Sequence, residues 1–212
     1  TEFQVGSDGK ITLASIPVPN AALWQPPSNP VHVPKVPLHT LTVSVGPTGS
    51  FEAGASQTVV TDAITVRFGL RVVSASGRNI RVNGEAIKLQ GFNRHDMYPQ
   101  LGPTLPLSQY ETDLDQLQLD LHANFIRGSH YPQDARLLDL CDERGILVWD
   151  EALAWGNRAD VLTDPDFMAA ELGTAHAMLD GDINHPSIIL WGFFNEGETD
   201  KEEVVSRLTR WR

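Results

Sequence analysis

The sequence predicts a mixed architecture: an antiparallel β-sandwich over residues 1 to about 73, then strands and helices alternating over 74–212 around a parallel sheet. Three observations carry this. The first third is rich in Val, Thr, Pro and Gly, with alternating runs such as Leu41-Thr42-Val43-Ser44-Val45. From about residue 79, short β-type runs alternate with stretches of helical periodicity. Each of the later β-type runs is followed directly by a polar cluster.

In the first third, the clusters Ser7-Asp8-Gly9, Pro26-Pro27-Ser28-Asn29-Pro30 and Gly46-Pro47-Thr48-Gly49 punctuate short strands, the pattern of a sandwich. Residues 80–87 read as a hairpin, because Asn83-Gly84 supplies the positive φ angles of a tight turn. Residues 88–92 are a strand. Tyr110, Leu114, Leu117 and Leu121 then fall at helical spacing behind a Ser108/Glu111 capping box. A strand at 123–127 leads to a helix at 133–144 that Gly145 ends. After a strand at 146–150, Asp164 caps and Pro165 opens a third helix, with Met168, Leu172, Ala175 and Leu179 on one face. A fourth strand covers 188–193, and Val204, Leu208 and Trp211 mark a fourth helix. Four βα units in a row mean a parallel sheet, and this organisation alone fits either a doubly wound sheet or a (β/α)₈ barrel. A barrel runs to about 250 residues, whereas about 135 are available here.

Composition narrows the function. Of 212 residues, 41% are apolar and 20% charged, which supports a packed core rather than disorder. A formal charge of −11 argues against a nucleic-acid partner, since phosphate binding needs clustered Lys and Arg. Cys141 is the only cysteine, so no internal disulfide forms, and its apolar helical setting reads as an inert buried thiol. No apolar run approaches the ~18 residues that span a membrane. The start, Thr1-Glu2-Phe3, shows no signal peptide, and a start without Met leaves both secreted and cytoplasmic locations open.

The polar clusters are Asn93-Arg94-His95-Asp96, Arg127-Gly128-Ser129-His130-Tyr131, Trp149-Asp150-Glu151 and Trp191-Gly192-Phe193-Phe194-Asn195-Glu196. Taken singly, His95 or His130 would read as a structural histidine, Arg127 as an ion-pair partner of Asp150 or Glu151, and Glu196 as a solvated loop carboxylate. In a parallel α/β fold, however, the C-terminal strand ends share one rim, so four clusters on successive strands converge. The chain has no Gly-rich phosphate loop, no Cys/His metal spacing and no Gly-x-Ser-x-Gly elbow. Carboxylates with amide, imidazole and indole neighbours suit sugars, and glycoside cleavage employs one carboxylic acid and one carboxylate. Glu196 is the acid candidate, because burial beside Phe193-Phe194 would raise its pKa.

At these residues the chain resembles the family 2 glycoside hydrolases, which include β-galactosidases and β-glucuronidases. Asn124-Phe125-Ile126-Arg127-Gly128-Ser129-His130-Tyr131-Pro132 is similar to one family signature, and residues 182–196, ending Trp191-Gly192-Phe193-Phe194-Asn195-Glu196, to a second. Upstream, Phe68-Gly69-Leu70-Arg71 and Gly91-Phe92-Asn93-Arg94-His95-Asp96 resemble the family's passage from an immunoglobulin-like sandwich into a TIM barrel. The resemblance implies an immunoglobulin-like domain over 1–73 and the N-terminal half of the barrel over 74–212. It implies a retaining exo-β-glycosidase acting on terminal β-linked sugars, with Glu196 as general acid/base. Asn195 would bond the sugar 2-hydroxyl, His95 and His130 would contact the non-reducing sugar, and Arg127 would orient carboxylates. Asp96, Glu151 and Trp191 complete the expected substrate-binding set.

The chain departs from the family pattern in three places. Gly128 stands where a small side chain with a β-carbon is usual, which should loosen that strand end. After Asp150-Glu151, the stretch Ala152-Leu153-Ala154-Trp155 lacks the carboxylate and histidine that bind magnesium in some β-galactosidases, so no essential metal and no cofactor is expected. The nucleophile, a second glutamate on a later strand, is not recognisable here, so further sequence or a companion chain is expected to complete the barrel and cover its strand edges. A homo-oligomer is compatible with this. The alternative from another class is a non-catalytic carbohydrate-binding or scaffold fragment.

Overall fold

Two antiparallel sheets precede a parallel one in the computed structural model, which describes residues 16–31, 36–46 and 60–208. β1 (His39–Val45) and β2 (Asp62–Phe68) pair antiparallel, from His39↔Phe68 to Val45↔Asp62. This pair is what the described residues contain of the expected sandwich; the turn clusters at 7–9 and 47–49 lie outside them. β3 (Val73–Ser76), β4 (Asn79–Val82) and β5 (Glu85–Ile87) form a second antiparallel sheet. Asn83 and Gly84 turn β4 into β5 with φ of 52° and 85°, the left-handed pair that a two-residue hairpin requires.

The third sheet holds β6 (Gly91–Arg94), β7 (Phe125–Gly128), β8 (Leu147–Glu151) and β9 (Ile188–Gly192), parallel and in sequence order. Between and after its strands lie α1 (Leu107–Asp115), α2 (Ala135–Arg144), α3 (Ala159–Leu162), α4 (Pro165–Asp182) and α5 (Glu202–Leu208). The short α3 is an addition to the expected βα alternation. Trp211, expected in the last helix, lies outside the described residues.

Local chemistry explains most boundaries. The Asp164 carboxylate accepts from the backbone N–H of Asp166 and Phe167, at 2.9 and 2.8 Å, with Pro165 in the first helical turn. Asp134 caps α2 by accepting from Arg136 N–H, and Gly145 at φ 71° ends it. The expected Ser108/Glu111 capping box is not formed. Helix α1 starts earlier, at Leu107, behind an extended Pro106 that makes no side-chain cap. Pro106 carries no N–H and Leu105 beside it is buried, so the chain enters the helix from there.

A second correction concerns Leu121. Residues Gln116–Asp120 widen into a π turn, which inserts one residue into the helical phase. Leu117 stays buried, Gln118 turns inward and donates to Arg144 O, and Leu121 becomes exposed.

Two apolar clusters sandwich the parallel sheet. One joins Leu114, Leu137, Leu138 and Cys141 from the helices to Ile126, Val148 and Ile188 from the strands. Burial pushes the Cys141 thiol pKa up, as expected of an inert core residue. The other joins Trp24, Val36 and Val82 to Leu147 and Ile189. Trp24, wholly buried, donates its indole N–H to Asp142 O at 2.9 Å. Among the described residues no helix is long and apolar enough to cross a membrane.

Candidate active site

The parallel register aligns the C-terminal ends of β6 to β9 along one edge, with Arg94 opposite Gly128 and Glu151 opposite Gly192. Alternation along each strand then sorts the side chains. Arg127 and Trp149 are paired in register, and Glu151 lies two residues on, so all three share a face. At Gly192 an added β-carbon would sit 2.3 Å from Trp149 Nε1 and 2.7 Å from Glu151 Cγ, so this strand end accepts only glycine beside them.

Arg127 is the hub. Its Nε and Nη2 donate to the two carboxylate oxygens of Glu151, at 2.6 and 3.1 Å, in a bidentate pair. Nη2 also donates to Asn195 Oδ1 at 2.9 Å, linking β7, β8 and the end of β9. The guanidinium lies over the Trp149 ring, 5.0 Å from its centroid. His130 Nδ1 lies 3.1 Å from Glu151 Oε2. The rings of His95 and His130 meet edge to face with centroids 5.2 Å apart, bringing β6 into the group. Asn195 is held by its backbone: its N–H donates to Ala154 O and its carbonyl accepts from Gly156 N–H. Glu196 follows in a left-handed conformation, φ 51°, uncommon for a residue with a side chain.

Arg127, His130, Glu151, Asn195, His95 and Glu196 therefore lie at one rim. Two other expected members do not face it. Asp96 is buried, and its carboxylate is taken by Arg94 and by the Tyr110 hydroxyl, while Arg94 also grips Asp113 of α1. It holds the strand-end loop, with its own N–H donating to Tyr131 Oη at 2.8 Å. Trp191 packs against the helix-side core instead of the rim. A register shift between Val148 and Trp149 pairs Trp191 with Asp150 and leaves Gly192 opposite Glu151.

Two further expectations need correcting. Glu196 is exposed rather than partly buried, because Phe193 beside it is itself 52% exposed and does not cover it. Gly128 does not loosen its strand end: a β-carbon there would lie 2.5 Å from Gln133 Cγ, so the glutamine already fills the space. Sequence reasoning left Trp149 and Trp155 without roles. The period-2 alternation of β8 was the available signal for Trp149.

Asp150 points away from the rim. It is fully buried, accepts from Gln133 N–H at 3.2 Å, and burial pushes its pKa up to about 7. At the opposite end of the sheet, Asp139, Asp142 and His185 come within metal-ligand distance of one another. Their atoms serve internal pairs. Asp142 accepts from Ser187 N–H and meets His185 Nδ1 at 2.6 Å, and Asp139 binds Arg67. Burial alone would lower the His185 pKa, but the hydrogen-bonded Asp142 carboxylate, together with the charges of Asp139 and Asp182, raises it. A cavity of about 620 Å³ lined by Gln25, Glu85, Lys88 and Asn124 also lies at that end, away from the rim.

Residues 73–211 match the family model described as "Glycosyl hydrolases family 2, TIM barrel domain". A β-galactosidase of Thermoanaerobacterium thermosulfurigenes is 37% identical over 135 residues, covering 63% of this chain and 18% of the relative. A β-glucuronidase of Paenibacillus borealis is 31% identical over 207 residues, covering 93% of this chain and 32% of the relative. The crystal structure of a β-galacturonidase from Eisenbergiella tayi bound to galacturonate superposes with a TM-score of 0.76 at 35% identity, over 92% of this chain and 32% of that one. The chain thus spans about a third or less of the length of each of these relatives.

Proposed function

The chain belongs to glycosyl hydrolase family 2, and from that membership we propose that it carries the acid/base half of a retaining exo-β-glycosidase active site. The substrate class is a terminal β-linked hexose or hexuronic acid, as the names of the related β-galactosidases, β-glucuronidases and β-galacturonidase suggest. The residues before about 73 form an immunoglobulin-like sandwich in this reading, and those from 74 the first four βα units of the barrel. The single observation that carries the reading is the Arg127 hub. It draws groups from three strands to one rim and holds Asn195 immediately before Glu196.

Glu196, protonated, gives its proton to the glycosidic oxygen as the bond to the anomeric carbon breaks and the alcohol leaves. A carboxylate on the opposite face takes the anomeric carbon as a glycosyl ester. Glu196, now ionised, removes a proton from water, which attacks the anomeric carbon and releases the sugar. The exposure of Glu196 suits this double duty, since it must meet first the leaving group and then water. Asn195, held by Arg127 and by two backbone bonds, presents its amide to the sugar 2-hydroxyl. His95 and His130 flank the sugar from β6 and β7. Glu151 does not serve as the nucleophile, because both its oxygens are engaged by Arg127. Among the described residues no other carboxylate is bonded into the rim, and in this reading the nucleophile is a second glutamate supplied from a later strand of the enzyme.

Glu196→Gln in the full-length enzyme tests this. It should slow substrates with poor leaving groups by roughly 10²–10⁴-fold and activated aryl glycosides far less. A loss independent of the leaving group would assign Glu196 to binding or folding. Retained sugar binding by an unsubstituted protein that turns over no β-glycoside would favour a carbohydrate-binding module.

A further inference from the structure

We propose that Trp149 is a positioning residue for the reaction, acting through Arg127 to set which end of the Asn195 amide the substrate meets; this rests on the glycosidase reading of the same rim. Trp149 and Arg127 are register partners on β8 and β7, so their side chains leave the sheet on one face. The guanidinium carbon lies 5.0 Å from the centroid of the indole, inside the reach of a cation–π contact. Both groups are hydrogen-bond donors only, so they meet through the ring face and not through Nε1. The ring itself has no room to move towards β9. A β-carbon on Gly192 would stand 2.3 Å from Nε1, so the indole edge already lies against bare backbone there.

Arg127 needs such a floor because its other contacts leave one motion open. Its Nε and Nη2 fork onto the two oxygens of Glu151, at 2.6 and 3.1 Å. A fork onto one carboxylate fixes distance and register, yet the guanidinium can still hinge about the line joining the two oxygens. Nη2 carries two hydrogens. One serves Glu151 Oε2, and the other reaches Asn195 Oδ1 at 2.9 Å. A hinged guanidinium therefore keeps Glu151 and gives up Asn195. The indole face beneath the guanidinium opposes that hinge.

What the hinge controls is the polarity of the Asn195 amide. The Asn195 backbone is fixed by its bonds with Ala154 O and Gly156 N–H, which leave the side-chain torsion undecided. Arginine can only donate, so the amide turns its oxygen to Nη2 and its N–H2 group away from it. Asn195 then meets the sugar 2-hydroxyl as a donor, and the hydroxyl oxygen accepts. Released from Nη2, the amide is free to flip and offer its oxygen instead. Trp149 touches no part of the sugar in this scheme. Its effect is confined to substrates that carry a group for Asn195 to hold.

The test takes the full-length enzyme, whichever of the p-nitrophenyl β-galactoside, β-glucuronide and β-galacturonide it turns over, and the 2-deoxy analogue of that glycoside. Comparing the two substrates within one variant cancels any loss of folded protein. Trp149→Leu, with Trp149→Met as a second aliphatic replacement, should lower kcat/KM on the 2-hydroxy glycoside by about 10- to 100-fold, the cost of one misplaced hydrogen bond. On the 2-deoxy glycoside the loss should stay below about 3-fold. Trp149→Phe keeps a ring face and should recover most of the loss. Trp149→Leu/Asn195→Ala should fall within about 3-fold of Asn195→Ala alone, because both act on one contact. Equal losses on the two glycosides, additive losses in the double variant, or no loss in either aliphatic variant would overturn the positioning role of Trp149 while leaving the glycosidase reading intact. Absence of turnover of every glycoside by the unsubstituted enzyme would overturn both.

Discussion

Arg127→Met should destabilise the protein by about 3–5 kcal/mol, the usual consequence of removing one partner from a buried ion pair. The structure shows where that comes from. Glu151 is 1% exposed, and Arg127 supplies two of its bonds, at 2.6 and 3.1 Å. At contact distance and an effective dielectric near 20, one such pair is worth about 4 kcal/mol of attraction. Methionine fills a similar volume over the Trp149 ring, so little of the effect should be a cavity. What is left is a buried carboxylate whose remaining side-chain hydrogen-bond partner among the described residues is His130, and an Asn195 amide without its donor.

A double-mutant cycle separates this from a general packing defect. Adding Glu151→Gln removes the stranded charge, so the double variant should recover about half or more of the loss. Urea midpoints at pH 7 for the four proteins provide the assay. A loss below about 1 kcal/mol for Arg127→Met, or a double variant no more stable than the single, would refute the idea that the Arg127–Glu151 pair holds the rim together.

Gly128→Ala should cost about 1–3 kcal/mol, the range for overpacking a buried site, because the new β-carbon would fall 2.5 Å from Gln133 Cγ. Thermal melts should show the double variant Gly128→Ala/Gln133→Ala recovering part of it. Asp150 has a folded pKa near 7 against an ordinary 3.8, so the stability of its protonated form is present below about pH 4 and lost as pH rises through 7. Asp150→Asn should remove up to about 4 kcal/mol of that decline between pH 4 and 8, read as a flatter plot of urea midpoint against pH. Parallel plots for the two proteins would show that Asp150 is ionised in the fold.

Where the sequence carries a complete local instruction, the fold follows it. Asn83-Gly84 makes its hairpin, Asp164-Pro165 opens α4, and Gly145 ends α2, because each depends on backbone angles and bonds within a few residues. The strand-end clusters were legible for a similar reason: parallel strands deliver their C-terminal ends to one edge whatever their loops contain. The errors arose where a distant partner decides the outcome. Asp96 belongs to an ion pair with Arg94 and Asp113, and nothing in its neighbours in sequence marks that pairing against a role at the rim. The π turn at 116–120 shifts the helical phase and exchanges Leu121 for Gln118 inside, which no apolar periodicity signals. Trp191 lost its expected place to one irregularity in the β8–β9 register, since a one-residue slip moves a side chain to the other face of a sheet.

The two ends of the parallel sheet are built to different rules. At the N-terminal end the polar groups are largely paired with one another: Asp142 satisfies Ser187 N–H and His185, Trp24 reaches Asp142 O, and Arg71 donates to Ile188 O at 2.5 Å. These bonds tie the segments at residues 24 and 71 to the parallel strands. At the C-terminal end the closure is deliberately partial in its geometry. Arg127 and Glu151 satisfy each other and fix Asn195, whereas His95, Trp155 and Glu196 stay exposed at the edge of that rigid group. In the proposed reading, stability and reactivity are thereby separated along the strands, since active sites of TIM barrels lie at the C-terminal strand ends. It follows that substitutions at the Asp142 set should unfold the protein without changing its substrate preference, while those at the exposed edge should alter preference and leave stability nearly unchanged.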